Sequence, residues 1–203
     1  MDAPSALVIA CGALAREIKS VLAANHIDHL RLQCLPAQLH NRPERIPEAV
    51  RECIRAARPV YRHVLVAYAD CGTGGLLDRV LQEEGVERLP GAHCYGFYAG
   101  EQVFDALAEA EPGTFYLTDF LARHFERLVI HELGIDRHPE LARLYFGNYR
   151  RLVYLAQRHD EGLQALARAA ADRLGLTFEQ RFTGYGELER RLVEFSLEGP
   201  WRN

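Results

Sequence analysis

Over its first half the chain alternates short apolar runs with longer amphipathic stretches. Ala6–Ala10 (ALVIA) is apolar at every position, the pattern of a strand buried on both faces. Gly12 breaks the run. Ala13–Ala24 then repeats apolar residues at helical spacing, with Leu14, Ile18, Val21 and Leu22 on one stripe. His29–Cys34 alternates and predicts a second strand. Glu44–Arg58 predicts a helix that buries Ile46, Val50 and Ile54, with Pro47 in the first turn, where a missing N–H is tolerated. His63–Tyr68 (HVLVAY) is the strongest strand signal. Gly74–Glu84 predicts a third helix and Glu87–Leu89 a brief fourth strand. Strands joined by crossovers of this length form parallel sheets with helices on both faces, and the crossovers are right-handed. The expected class is therefore α/β, with an open, mostly parallel, Rossmann-like sheet flanked by helices.

The second half is more helical. Glu101–Glu109, Leu121–Glu132, Pro139–His159, Glu161–Leu174 and Glu187–Phe195 all carry helical patterns. Thr114–Thr118 fits a strand or a packed loop, and Thr177–Phe182 alternates as a late strand does. No repeat, low-complexity stretch or Pro/Ser-rich linker divides the chain. The expectation is one α/β domain over 1–203 with a helical subregion over 120–203.

Composition narrows the function classes. The 203 residues are 48% hydrophobic and 26% charged, an ordinary globular balance. A net charge of −4 lacks the basic footprint of a nucleic-acid binder. No run approaches the roughly 18 apolar residues of a membrane span, and residues 1–10 lack the basic start of a signal peptide. The expected setting is the cytoplasm, with no nucleic-acid and no membrane partner. Five widely spaced cysteines there are expected to be reduced thiols.

The positions of those cysteines carry the chemistry. Cys11 follows the first strand, Cys34 ends the second, Cys71 follows the third and Cys94 follows the fourth. In an open parallel sheet all strand C-termini share one edge, where ligands bind. Convergent thiolates there suit zinc or an iron–sulfur cluster. Cys53 falls inside the second helix and is expected to be a core residue. Cys71-Gly72-Thr73-Gly74-Gly75 lies between a strand and a helix, where backbone can approach an anionic ligand; it has neither the phosphate-loop Lys nor the dinucleotide spacing. His40 and Asn41 sit in a polar loop reaching the same edge, and can equally cap the following helix. His131-Glu132 with His138 lacks zinc-protease spacing.

Taken as a set, Cys11-Gly12, Leu39-His40-Asn41-Arg42-Pro43, Asp70-Cys71-Gly72-x-Gly74, Pro90-x-x-His93-Cys94-Tyr95 and Pro112-Gly113-Thr114-x-Tyr116-Leu117-Thr118 resemble the bacterial and archaeal family catalogued as domain of unknown function 1638. The resemblance runs from about residue 5 to 190. Many relatives look like Pro-Arg-x-His-Asp-Cys at the fourth strand, whereas this chain has Pro90-Gly91-Ala92-His93-Cys94, with the thiol one residue earlier and no arginine. The resemblance implies that Cys11, Cys71 and Cys94 are the cysteines of interest. It also implies a link to corrinoid-dependent methyl transfer and one-carbon metabolism.

The leading expectation is a cysteine-ligated metalloprotein, read as an enzyme, with Cys11, Cys71 and Cys94 holding an iron–sulfur cluster whose open iron binds a small molecule. Zinc is the alternative metal. His40, Asn41, Gly72, Gly74, His93 and Tyr185 are the expected ligand-binding residues. Two other readings stand beside it: a non-catalytic accessory that delivers or senses a corrinoid or metal for a methyltransferase system, and a metal-free enzyme with Cys71 or Cys94 as nucleophile and His93 or His40 as base.

Overall fold

The computed structural model describes residues 6–198, which divide into two compact units. The first takes the described residues up to Phe97 and those from Tyr185 onward; the second is Tyr98–Gly184.

In the first unit, β1 (Ala6–Cys11), β2 (Leu30–Leu35), β3 (His63–Ala67) and β4 (Glu87–Arg88) form one parallel sheet in the order β2-β1-β3-β4. All six residues of β1 are buried, as its unbroken apolar run requires of a central strand. The connections are α1 (Ala15–Ala24), α2 (Ile46–Ala57) and α3 (Leu76–Glu84). The step from β1 to β2 goes one way along the sheet and the step from β2 to β3 returns across it. Right-handed crossovers therefore put α1 on one face and α2 on the other. α2 packs with α3, and α1 packs with α9 (Gly186–Glu198). The strand order reverses between β1 and β3, the switch point at which such sheets bind ligands.

The second unit holds a sheet of its own. β5 (Thr114–Leu117), β6 (Arg151–Ala156) and β7 (Thr177–Phe182) are parallel in the order β5-β6-β7. Around it lie α5 (Glu101–Ala110), α6 (Asp119–Phe125), α7 (Glu140–Phe146) and α8 (Glu161–Leu174); α4 (Cys94–Ala99) links the two units. Every strand step runs the same way, so right-handed crossovers place α6 and α8 on one face, where they pack together. Leu117, Phe125, Leu152, Tyr154, Leu163 and Ala167 fill the core between.

The α/β class and the parallel Rossmann-like sheet are as the sequence predicts. The helix expected over Pro139–His159 is not: it breaks into α7, a turn at Gly147–Tyr149 and strand β6. Residues 151–156 (RLVYLA) are a buried parallel strand, and an unbroken apolar run has no period to separate strand from helix. The Leu121–Glu132 helix starts two residues earlier at Asp119 and passes into a π-helical turn over Glu126–His131. Helix α4 was not foreseen. Among the described residues no helix is long and apolar enough to cross a membrane.

One buried polar knot ties the strand ends of the second unit. Asp119 is 1% exposed. Its carboxylate accepts from the Tyr154 hydroxyl at 2.7 Å and the Gln157 N–H at 3.0 Å, while its own N–H donates to Gln157 Oε1 at 2.7 Å. Removing that acceptor strands buried donors, each costing about 1–3 kcal/mol. Asp119→Ala is expected to destabilise the protein by about 3 kcal/mol, read as a lower urea midpoint; a loss within ~0.5 kcal/mol would show that the knot is dispensable.

Candidate functional site at the sheet switch point

Cys11 is the last residue of β1, held level with Leu35 of β2. The chain then turns through Gly12 hard against the end of β2. A Cβ at Gly12 would lie 2.9 Å from the Leu35 carbonyl oxygen and 3.3 Å from the Ala37 N, so only glycine lets the two strand exits approach. That approach carries the short helical turn Ala37–Asn41 over the end of β1 and brings the His40 Nδ1 to 3.5 Å from the Cys11 sulfur. The Ala13 N–H donates to the same sulfur at 3.4 Å.

Cys71 reaches the same place from β3. It has a positive φ of 49°, the left-handed region that costs a non-glycine residue about 1–3 kcal/mol. The surrounding hydrogen bonds hold it there. The Asp70 N–H donates to the Gly91 carbonyl at 3.1 Å and the Cys71 N–H to the Ala92 carbonyl at 2.9 Å. These bonds lash the loop after β3 to the loop after β4, and so set Cys94 beside Cys71. Arg88 braces the second loop by donating to the Leu89 and Gly91 carbonyls while it pairs with Asp78.

The side chains form a connected group. His40 Nδ1 stands 3.5 Å from the Cys11 sulfur, and both His40 and Cys94 interact electrostatically with Cys71. Hydrogen bonding to the two sulfurs pushes the pKa of His40, itself an exposed residue, up to about 10. Hydrogen bonding from Cys94, then from His40, brings the Cys71 thiol down to about 5, against burial. Cys94 moves the other way: its bond to the Cys71 thiolate and its enclosure keep its proton on. At neutral pH this is a Cys71 thiolate between a His40 imidazolium and a Cys94 thiol. Cys34 is exposed at the end of β2, its thiol raised by partial enclosure and by Cys11. Cys53 stands apart in α2, where Gln33 donates to its sulfur at 3.2 Å.

The other expected ligand-binding residues fall variously. Gly72 (φ +83°) packs toward Pro43, joining the His40 loop to the Cys71 turn. Gly74 lies in the same turn, but its N–H donates to Asp70 at 3.1 Å, and the Gly75 N–H to Asp70 at 2.9 Å. The anion that this glycine turn cradles is the chain's own Asp70, which the same bonds and Thr73 hold below the usual carboxylate range. Asn41 and His93 are exposed neighbours of His40 and Cys94. Tyr185 is half-buried just ahead of α9, where its carbonyl accepts from the Glu189 N–H at 3.4 Å.

Tyr68 escaped the sequence reading. The ladder pairs Ala10 with Ala67, so one step further Cys11 of β1 is level with Tyr68 on the same face. Tyr68 is 1% exposed, and its buried hydroxyl approaches Cys11 without completing a hydrogen bond. Burial and the neighbouring sulfurs keep its phenol protonated. A tyrosine written at the end of a strand looks like core; only the register shows what it faces.

Thiols at the ends of β1, β3 and β4 with one imidazole make a donor set for a soft metal. The orphaned Tyr68 hydroxyl marks a polar partner still to be supplied. As the side chains stand, no group of three or more Cys, His, Asp or Glu among the described residues has metal-ligand spacing. A cavity of about 420 Å³ in this unit lies at the opposite edge of the sheet, lined by residues that include His63, Arg58, Glu84 and Phe195 and away from Cys11, Cys71 and Cys94.

The chain belongs to the family described as protein of unknown function DUF1638, whose profile matches residues 34–192, more than half of its length. His40, Cys71 and Cys94 lie inside the match, and Cys11 precedes it. No curated protein matches the chain.

The charge pattern has a measurable sign. In metal-free protein, alkylation of Cys71 by iodoacetamide is expected to be half-maximal near pH 5 and flat above about pH 6, not rising toward 9.0. His40→Gln removes a cation that favours the thiolate, so the midpoint must move up. Mass spectrometry of the labelled peptide reads both; a wild-type midpoint near 9.0 would overturn the ion pair.

Proposed function

We propose that the protein is a cysteine-ligated metalloprotein in which Cys11, Cys71 and Cys94 hold a metal centre with one open position, an enzyme that binds and activates a small molecule there. The observation that carries the reading is the union of three sulfurs with His40 at the β1/β3 switch point. Cysteine is often buried in α/β cores for packing alone, as Cys53 is. Thiols that meet at strand exits, one of them in a strained backbone conformation, are poor packing choices.

An iron–sulfur cluster with an open iron is the preferred centre, and zinc is the alternative; either supplies a Lewis acid at the open position. The chain's own residues do the rest. Cys71 stands deprotonated and ready to ligate. Cys94 must release its proton to join it, and His40 beside two of the sulfurs is placed to hold or pass one. His40 also donates to whatever anion occupies the site, and Gly72 keeps the approach free of side chains. The small molecule, with any link to a corrinoid methyltransferase system, belongs to the same proposal.

A second reading is favoured by the Cys71–His40 contact itself. A thiolate held by an imidazolium is the resting form of a metal-free thiol enzyme, with Cys71 as nucleophile and His40 as the proton-bearing partner.

Anaerobic purification followed by iron, zinc and acid-labile sulfide analysis separates the readings. Iron with sulfide is expected; zinc without sulfide selects the alternative centre. Cys11→Ser, Cys71→Ser and Cys94→Ser are each expected to lose most of the metal, whereas Cys53→Ser keeps it. Equal retention in all four variants would sink the assignment, and metal-free wild type with a rapidly alkylated Cys71 would select the thiol reading.

A further inference from the structure

A buried hydroxyl without a partner costs about 1–3 kcal/mol, so native proteins rarely keep one without a use. Tyr68 keeps one at the switch point. Its backbone neighbours leave it little freedom: one step beyond the last ladder pair, Ala10 with Ala67, Tyr68 stands level with Cys11, and both residues are buried. The hydroxyl approaches the Cys11 sulfur and still completes no hydrogen bond. A thiolate sulfur is a strong hydrogen-bond acceptor. A tyrosine hydroxyl is a donor at neutral pH.

We infer that Tyr68 is a positioning residue for the metal centre: its hydroxyl donates to the Cys11 sulfur once that sulfur is a metal-bound thiolate. This rests on the metal-centre reading and extends it to a residue beyond the ligands. Ligands of metal centres are oriented by such outer partners, whose removal typically weakens metal binding 10–100-fold. The donated hydrogen bond also draws charge from the sulfur, which the metal–sulfur absorption reports.

The test is anaerobic titration of the reduced, metal-free full chain with cobalt(II), followed by the sulfur-to-cobalt charge-transfer band, in wild type and Tyr68→Phe. The same pair is then compared in a Cys11→Ala background. Thermal midpoints of the metal-free proteins are measured beside them. The expected result is about 10–100-fold weaker cobalt binding in Tyr68→Phe, with a shifted band and a metal-free midpoint that is unchanged or higher. In the Cys11→Ala background, whatever cobalt affinity remains is expected to be unchanged by the Tyr68 substitution. Equal affinity and an identical band in Tyr68→Phe overturn the inference and leave the metal centre standing. A lowered metal-free midpoint with an unshifted band makes Tyr68 a packing residue and overturns it too. No cobalt uptake by wild type overturns the metal centre and the inference together.

Discussion

Everything at the candidate site depends on the β1–β3 ladder. Parallel pairing of these two strands sends both exits to one edge, and the change of direction in strand order on either side opens the space between their loops. The ladder brings Cys11 level with Tyr68 and delivers Cys71 a few residues later. A register slip of one residue would turn Tyr68 to the other face and withdraw it from Cys11. The burial of β1 on both faces is therefore more than stability: it fixes the coordinates of the chemistry.

A second constraint acts through the backbone. Cys71 occupies a left-handed conformation that glycine would adopt without strain, and glycines are abundant immediately after it. The hydrogen bonds from Asp70 and Cys71 to Gly91 and Ala92 offset that strain. The same bonds determine where Cys94 stands. Asp70 meanwhile takes the N–H groups of Gly74 and Gly75. A turn that reads as an anion cradle is thereby filled from within, and the remaining polar capacity of the edge lies in sulfur, imidazole and phenol.

The parts of the fold that sequence made legible are those with a period or a boundary. β1, α1, α2, β3 and α3 carry amphipathic or fully apolar patterns bounded by Gly12, Pro47 and the glycine turn. Strand exits place Cys11, Cys34, Cys71 and Cys94 along one edge, and it is the family resemblance that singles out Cys11, Cys71 and Cys94. β6 was hidden because RLVYLA has no alternation, and the stop signal Gly147-Asn148 was absorbed into an aromatic helical pattern. His40 was in view as a polar loop residue; its contact with two sulfurs depends on the close approach at Gly12, which a sequence does not display. Tyr68 was invisible for a different reason. Its role is a matter of strand register, and register is a property of two strands together.

The metal and thiol readings draw on one arrangement of protons. A hydrogen bond from Cys94 lowers Cys71, and the resulting thiolate in turn holds the Cys94 proton on. His40 takes its charge from Cys11 and Cys71. Binding a metal to the three sulfurs must break that arrangement, because the thiol proton of Cys94 has to leave while Cys71 has already lost its own. Metal uptake should then be limited by Cys94, and its pH dependence should follow the most reluctant thiol. A nucleophile at Cys71 would follow the most acidic one. On the thiol reading the Cys71 nucleophile would already be ionised in mild acid, whereas on the metal reading affinity would rise as Cys94 gives up its proton.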